Sequence, residues 1–225
     1  MNKKLTEIAY ILDRSGSMQP LVESAITGFN SFLKDQQETP GDANFTLVLF
    51  DDEYLLHADR AAIADVRPLD ANTYVPRGCT ALLDAIGRTI DNIGKKLAKT
   101  PEKDRPGKVL IAIYTDGYEN ASSDYTVKKI SKLIRHQTEN YDWEFLFLAA
   151  NEDAIATATS YGIDKGNASQ VQLSEAGHYA TADTLSRKIK GHRKVMQNCA
   201  SAEELKDVAI ALQEIVKEET QKHSR

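Results

Sequence analysis

Two short stretches of this sequence carry oxygen ligands at spacings that could hold a metal ion. Asp13-Arg14-Ser15-Gly16-Ser17 places one carboxylate and two hydroxyls at alternate positions. In an extended segment, side chains at i, i+2 and i+4 lie on one side, so these three groups can converge, and Gly16 between the serines lets the chain curl. Thr115-Asp116-Gly117 offers a second carboxylate. No His or Cys stands near either stretch with ligand spacing. Carboxylates with hydroxyls suit a hard cation such as Mg²⁺, with Mn²⁺ or Ca²⁺ as alternatives, far better than zinc.

Both stretches follow apolar runs that read as strands. Residues 7–12 (EIAYIL) form an almost continuous apolar segment, as expected of a strand buried on both faces, and the run stops at Asp13. Helical spacing follows at Leu21, Ala25, Ile26, Phe29, Phe32 and Leu33, with Pro20 where a first-turn proline is tolerated. Residues 45–50 (FTLVLF) and 109–114 (VLIAIY) repeat the buried-strand pattern, the second leading into Thr115-Asp116-Gly117. A weaker strand is expected at 54–58, a further strand at 143–150 and a last short one at 169–173, with helices from Ala81 to Leu97, near 127–134 and at 154–161. Strands alternating with amphipathic helices predict an open, doubly wound, mostly parallel α/β sheet with helices on both faces. Ligands of such sheets bind at the carboxyl ends of the strands, where both stretches fall. Two polar-rich helices, 178–197 and 202–222, close the chain. The expected organisation is one domain over residues 1–197 and a helical extension over 198–225.

Composition fits that plan. The chain has 225 residues, 41% hydrophobic and 27% charged, with 28 basic and 33 acidic side chains and a net charge of −5, an ordinary globular balance without the basic surplus of a nucleic-acid binder. Two distant cysteines, Cys79 and Cys199, exclude a disulfide framework. The first residues have too short an apolar core for a signal peptide, and no run is long enough to span a membrane, so a cytoplasmic location is expected.

D-x-S-x-S after a first buried strand, an isolated threonine a third of the way along, and T-D-G after a fourth strand together resemble the metal-ion-dependent adhesion site (MIDAS) of von Willebrand factor type A domains. The family's threonine matches Thr80, in RGCTALLDAI. The resemblance spans roughly residues 5–175 and implies a Mg²⁺ site in which Ser15, Ser17 and, with ligand bound, Thr80 coordinate directly, while Asp13 and Asp116 act mainly through water. It implies a binding module rather than an enzyme, whose open metal position takes an Asp or Glu carboxylate of a partner protein. Intracellular microbial members suggest an AAA+ ATPase or another operon-encoded assembly as that partner.

Plainer readings compete. Ser17 or Thr80 could each cap a helix, but capping does not explain Asp13, Thr80 and Asp116 together. Asp51-Asp52 reads as a solvated turn, Cys79 as a half-buried small residue, and residues 187–194 (RKIKGHRK) as a solvated helix face. A Mg²⁺-dependent phosphoryl hydrolase is the alternative function. Against it, no nucleophile motif or phosphate loop occurs, and Arg14 and Arg77 are the only basic residues in the neighbouring segments.

Overall fold

The computed structural model describes residues 1–223. Six strands form one sheet in the order β3-β2-β1-β4-β5-β6. These are β1 (Asn2–Asp13), β2 (Ala43–Phe50), β3 (Tyr54–Ala62), β4 (Pro106–Thr115), β5 (Glu144–Ala149) and β6 (Ala168–Gln170). All neighbours run parallel except β3, which pairs antiparallel with β2 at one edge. The expected doubly wound α/β sheet is therefore present. The helices are α1 (Val22–Glu38), α2 (Leu82–Lys99), α3 (Val127–Tyr141), α4 (Ala154–Ser160), α5 (Glu175–Met196), α6 (Ala202–Ala209) and α7 (Leu212–His223). None is long and apolar enough to cross a membrane.

The continuous apolar strands are explained by cover on both faces. Ile8, Tyr10 and Leu12 of β1 pack with Phe29, Phe32, Leu185 and Leu212 from α1, α5 and α7. Their alternates Ala9 and Ile11 pack with Leu82, Ile86, Ile90 and Ile130 from α2 and α3. Tyr10 meets Phe29 and Phe32 edge-on, with ring centroids 5.5 and 5.0 Å apart, an arrangement aromatic pairs favour. Between β1 and β4 the winding reverses. That opens a crevice at the carboxyl ends, and β1 and β4 deliver Asp13 and Asp116 to its two sides.

The C-terminal helices pack against α5. Leu212, Ile215 and Val216 are buried, and Leu212 and Val216 belong to the core on that face. The basic run 187–194 is consequently not the solvated face its composition suggests. Arg187 meets Asp207 at 2.5 Å, Glu219 at 2.6 Å and Glu218 at 2.9 Å. Lys188 is buried and donates to the Val208 and Ile210 carbonyls at 2.7 and 2.9 Å. Those carbonyls lie where the predicted 202–222 helix breaks into α6 and α7, with Ile210 extended at φ −80° and ψ 157°. Arg193, also buried, donates to the Thr39 and Gly41 carbonyls beyond the C-terminus of α1.

His178, on α5, gives the fold a testable acid sensitivity. Burial pushes its imidazole down to about 4, and it packs edge-on to Tyr114 with centroids 5.3 Å apart. Ser24 Oγ donates to the Leu21 carbonyl, so the 3.3 Å contact to His178 Nδ1 is donated by the ring. A histidine with its folded pKa below its unfolded one contributes stability that is lost as pH falls from about 6.5 to about 4, at most roughly 3 kcal/mol. In urea unfolding, His178→Leu is expected to lose less stability than wild type between pH 7 and pH 5. An equal loss in both proteins would contradict this.

Candidate metal centre

Asp13 ends β1 with its carboxylate buried. Its Oδ1 accepts from Ser15 N at 2.7 Å, the local turn that short acidic side chains favour, and its Oδ2 accepts from Thr115 Oγ1 at 2.5 Å. Tyr74 fixes the same residue from the other side, donating its hydroxyl to the Asp13 carbonyl at 2.5 Å. Gly16 and Ser17 then open a 3₁₀ turn, Gly16–Leu21, that leads into α1. Neither serine caps it: Ser15, at the N-cap position, makes no side-chain cap bond, and Ser17 lies inside the turn. The capping explanation for these serines therefore fails. Their hydroxyls lie 3.1 Å apart, and Ser17 Oγ donates to Asp116 Oδ1 at 3.0 Å.

Thr80 reaches this cluster from the loop before α2. It does not cap that helix, whose N-cap is Ala81. A Cβ built on Gly117 would lie 3.5 Å from Thr80 Oγ1 and 3.9 Å from Ser17 Oγ, so the two hydroxyls border one point beside the Asp116 backbone. The structure thus brings Asp13, Ser15, Ser17, Thr80 and Asp116 to one crevice.

Residues without a sequence signal hold this arrangement. Asn120 clasps Thr80 twice, accepting from Thr80 N through Oδ1 at 2.8 Å and donating its own N–H to the Thr80 carbonyl at 3.0 Å. Glu119 accepts from Leu83 N at 2.8 Å, satisfying a free amide in the first turn of α2. Gly78, at φ +63°, lets the chain pass close to the first loop, where Gly16 N donates to the Gly78 carbonyl at 3.2 Å. Asp51 corrects the solvated-turn expectation. It is 0% exposed and lies 2.9 Å from Arg77 and 3.2 Å from Arg14. Cys79, expected half-buried, is exposed.

The donor set is chemically consistent with a hard cation. It comprises three hydroxyls and two carboxylates. Asp116, 8% exposed, keeps its Oδ2 buried without a hydrogen-bond partner among the described residues. A buried carboxylate oxygen left alone is costly and calls for a cation or ordered water. Burial, with the charge of Asp116 adding, pushes the Asp13 carboxyl up to about 6 despite the bonds from Thr115 and Ser15. Burial likewise raises Asp116, against the bond from Ser17. A divalent ion would reverse both effects.

No protein-family model matches the chain, and no curated protein does. Solved structures do. A von Willebrand factor type A protein from Catenulispora acidiphila aligns at TM-score 0.53 and 12% identity over 84% of this chain and 43% of its own. The pilus adhesin SpaC of Lactobacillus rhamnosus GG aligns at 0.59 and 12% over 85% and 30%. Proximal thread matrix protein 1 of the mussel byssus, in a form with a zinc-occupied MIDAS motif, aligns at 0.52 and 17% over 92% and 47%. The fold is that of von Willebrand factor type A domains, and the chain spans less than half of each of these structures.

Proposed function

We propose that the chain is a Mg²⁺-dependent protein-binding module that takes an acidic side chain of a partner as the last ligand of its metal. Ser15, Ser17 and Thr80 would hold the ion, with Asp13 and Asp116 balancing its charge. The observation that carries this reading is the gathering of these five residues around the two strand ends, with Asp116 Oδ2 buried there without a hydrogen-bond partner among the described residues. Two carboxylates only just neutralise a divalent ion, and neutral hydroxyls add no charge, so the bound ion stays electrophilic toward an external carboxylate. Mg²⁺ keeps several waters, one of which a partner can displace. The oxygen-only donors favour Mg²⁺ or Mn²⁺ over zinc, although the byssus protein shows that a motif of this kind accommodates zinc.

The hydrolase alternative gains no support. Arg14 and Arg77, the cations it would use for phosphate, are both engaged by Asp51 and Glu53. Two exposed free thiols, Cys79 and Cys199, suit a reducing compartment, so the proposed site of action is the cytoplasm, with an AAA+ ATPase or another multiprotein assembly as partner.

A pull-down from native lysate with the tagged chain, in Mg²⁺ and in EDTA, tests this. A partner should be retained in Mg²⁺ and lost in EDTA, and Ser15→Ala should lose it in both. Retention indifferent to chelator would contradict the mechanism.

A further inference from the structure

We propose that Asp51 is the positioning residue that holds the two halves of the metal centre in register, the Ser15/Ser17 loop and the Thr80 loop. This rests on the metal reading above and assigns a role to a residue that would not itself touch the ion.

Asp51 follows β2, beside β1, and each of its polar groups serves one of the two loops or its own turn. Its carboxylate Oδ2 lies 2.9 Å from Arg77 Nε and 3.2 Å from Arg14 Nε. Arg14 stands between Asp13 and Ser15, and Arg77 three residues before Thr80. Its Oδ1 accepts from Glu53 N at 2.6 Å, which fixes the carboxylate's orientation. Its carbonyl accepts from Ala81 N, the residue after Thr80, at 2.9 Å. The loops also join directly, Arg77 N donating to the Arg14 carbonyl at 2.9 Å and Gly16 N to the Gly78 carbonyl at 3.2 Å. Those two bonds join backbone to backbone only. Asp51 adds one buried carboxylate shared by an arginine from each side, through a hydrogen bond from Arg77 Nε and an ion pair with Arg14, whose Nε has no hydrogen bond among the described residues.

Charge points the same way. Arg14 is buried and lies within three residues of Asp13, Ser15 and Ser17 along the chain. Glu53, whose side chain is 64% exposed, is a screened counterion, whereas Asp51 is fully buried. Removing the Asp51 charge unpins the Thr80 loop and leaves Arg14, in the same loop as Asp13 and Ser15, buried without its buried counterion. Glu53 cannot replace it from solvent. A purely structural ion pair would change stability without changing what the ion experiences.

The test uses Mn²⁺ alone with the full chain, reading affinity by calorimetric titration and ligand geometry by the electron paramagnetic resonance spectrum of the bound ion. Asp51→Asn retains the acceptor for Glu53 N and is expected to weaken Mn²⁺ about tenfold or more, the usual scale for residues that orient metal ligands, with an altered spectrum. Arg77→Gln removes an arginine whose side chain is 47% exposed, cutting its links to Asp51 and Glu53 and leaving the Arg14–Asp51 pair in place. It should weaken Mn²⁺ a few-fold while the metal-free melting temperature stays within about 2 °C of wild type. If Asp51→Asn does not fold, Arg77→Gln decides. Wild-type affinity and spectrum in the folded variants would overturn the role of Asp51 alone. Failure of wild type to bind Mn²⁺ would overturn the metal reading and this proposal together.

Discussion

Asp13→Asn raises the melting temperature of the metal-free protein at pH 7.5 and abolishes its rise on adding Mg²⁺. The wild-type carboxyl is buried and pushed up to about 6, so at pH 7.5 it is ionised at a cost of roughly 3 kcal/mol relative to the unfolded chain. An acid whose folded pKa lies above its unfolded value favours folding at low pH, and that advantage disappears as pH rises from about 4 to about 6. The amide carries no such cost. Its oxygen can still accept from Ser15 N, and its NH₂ can donate to Thr115 Oγ1, whose hydroxyl turns to the Gly117 carbonyl, 3.3 Å away. The expected gain is roughly 5–10 °C at this chain length. It should shrink at pH 4.5, where wild-type Asp13 is largely protonated. A variant less stable than wild type at pH 7.5 without metal would show that Asp13 serves folding rather than a cation.

A chain ending at residue 197 is expected to lose most of its stability. Truncation removes Leu212, Ile215 and Val216, all buried, and uncovers Leu185 and Ile189 of α5. At about 1.5–3 kcal/mol for each buried aliphatic side chain, the three lost residues alone account for roughly 5–9 kcal/mol, comparable with the total stability of an ordinary domain. Arg187 and Lys188 would also lose Asp207, Glu219 and the Val208 and Ile210 carbonyls. In the full chain, Leu212→Ala should cost about 2–5 kcal/mol in urea unfolding. A truncated protein that melts cooperatively within a few degrees of the full chain would show that α6 and α7 are an appendage.

These two cases mark what the sequence reveals and what it hides. A strand covered on both faces must be apolar throughout, so residues 45–50 and 109–114 announce themselves. The edge strand β3, half exposed, runs four residues past its expected end. The single predicted helix over 202–222 breaks at Ile210 without a Gly or Pro, because α5 offers Lys188 to the freed carbonyls. RKIKGHRK looks solvated because its acidic partners, Asp207 and Glu219, stand 20 and 32 residues from Arg187. The candidate metal centre follows the same rule. Asp13, Ser15 and Ser17 are legible because their geometry is local, and Thr80 and Asp116 because their order along the chain matches a known motif. Asp51, Asn120 and Tyr74 act only through partners that the fold brings to them, so no spacing betrays them.

Five residues that surround one divalent cation should show it directly in the crystal. Crystals of the chain grown with Mn²⁺ and measured near the manganese absorption edge test it directly. One strong anomalous peak is expected at the carboxyl ends of β1 and β4, bordered by Ser15 Oγ, Ser17 Oγ and the Asp116 carboxylate, and absent in Ser15→Ala. No peak there, or a peak only at a cluster such as Asp183, Glu219 and His223 on the opposite helices, would contradict it.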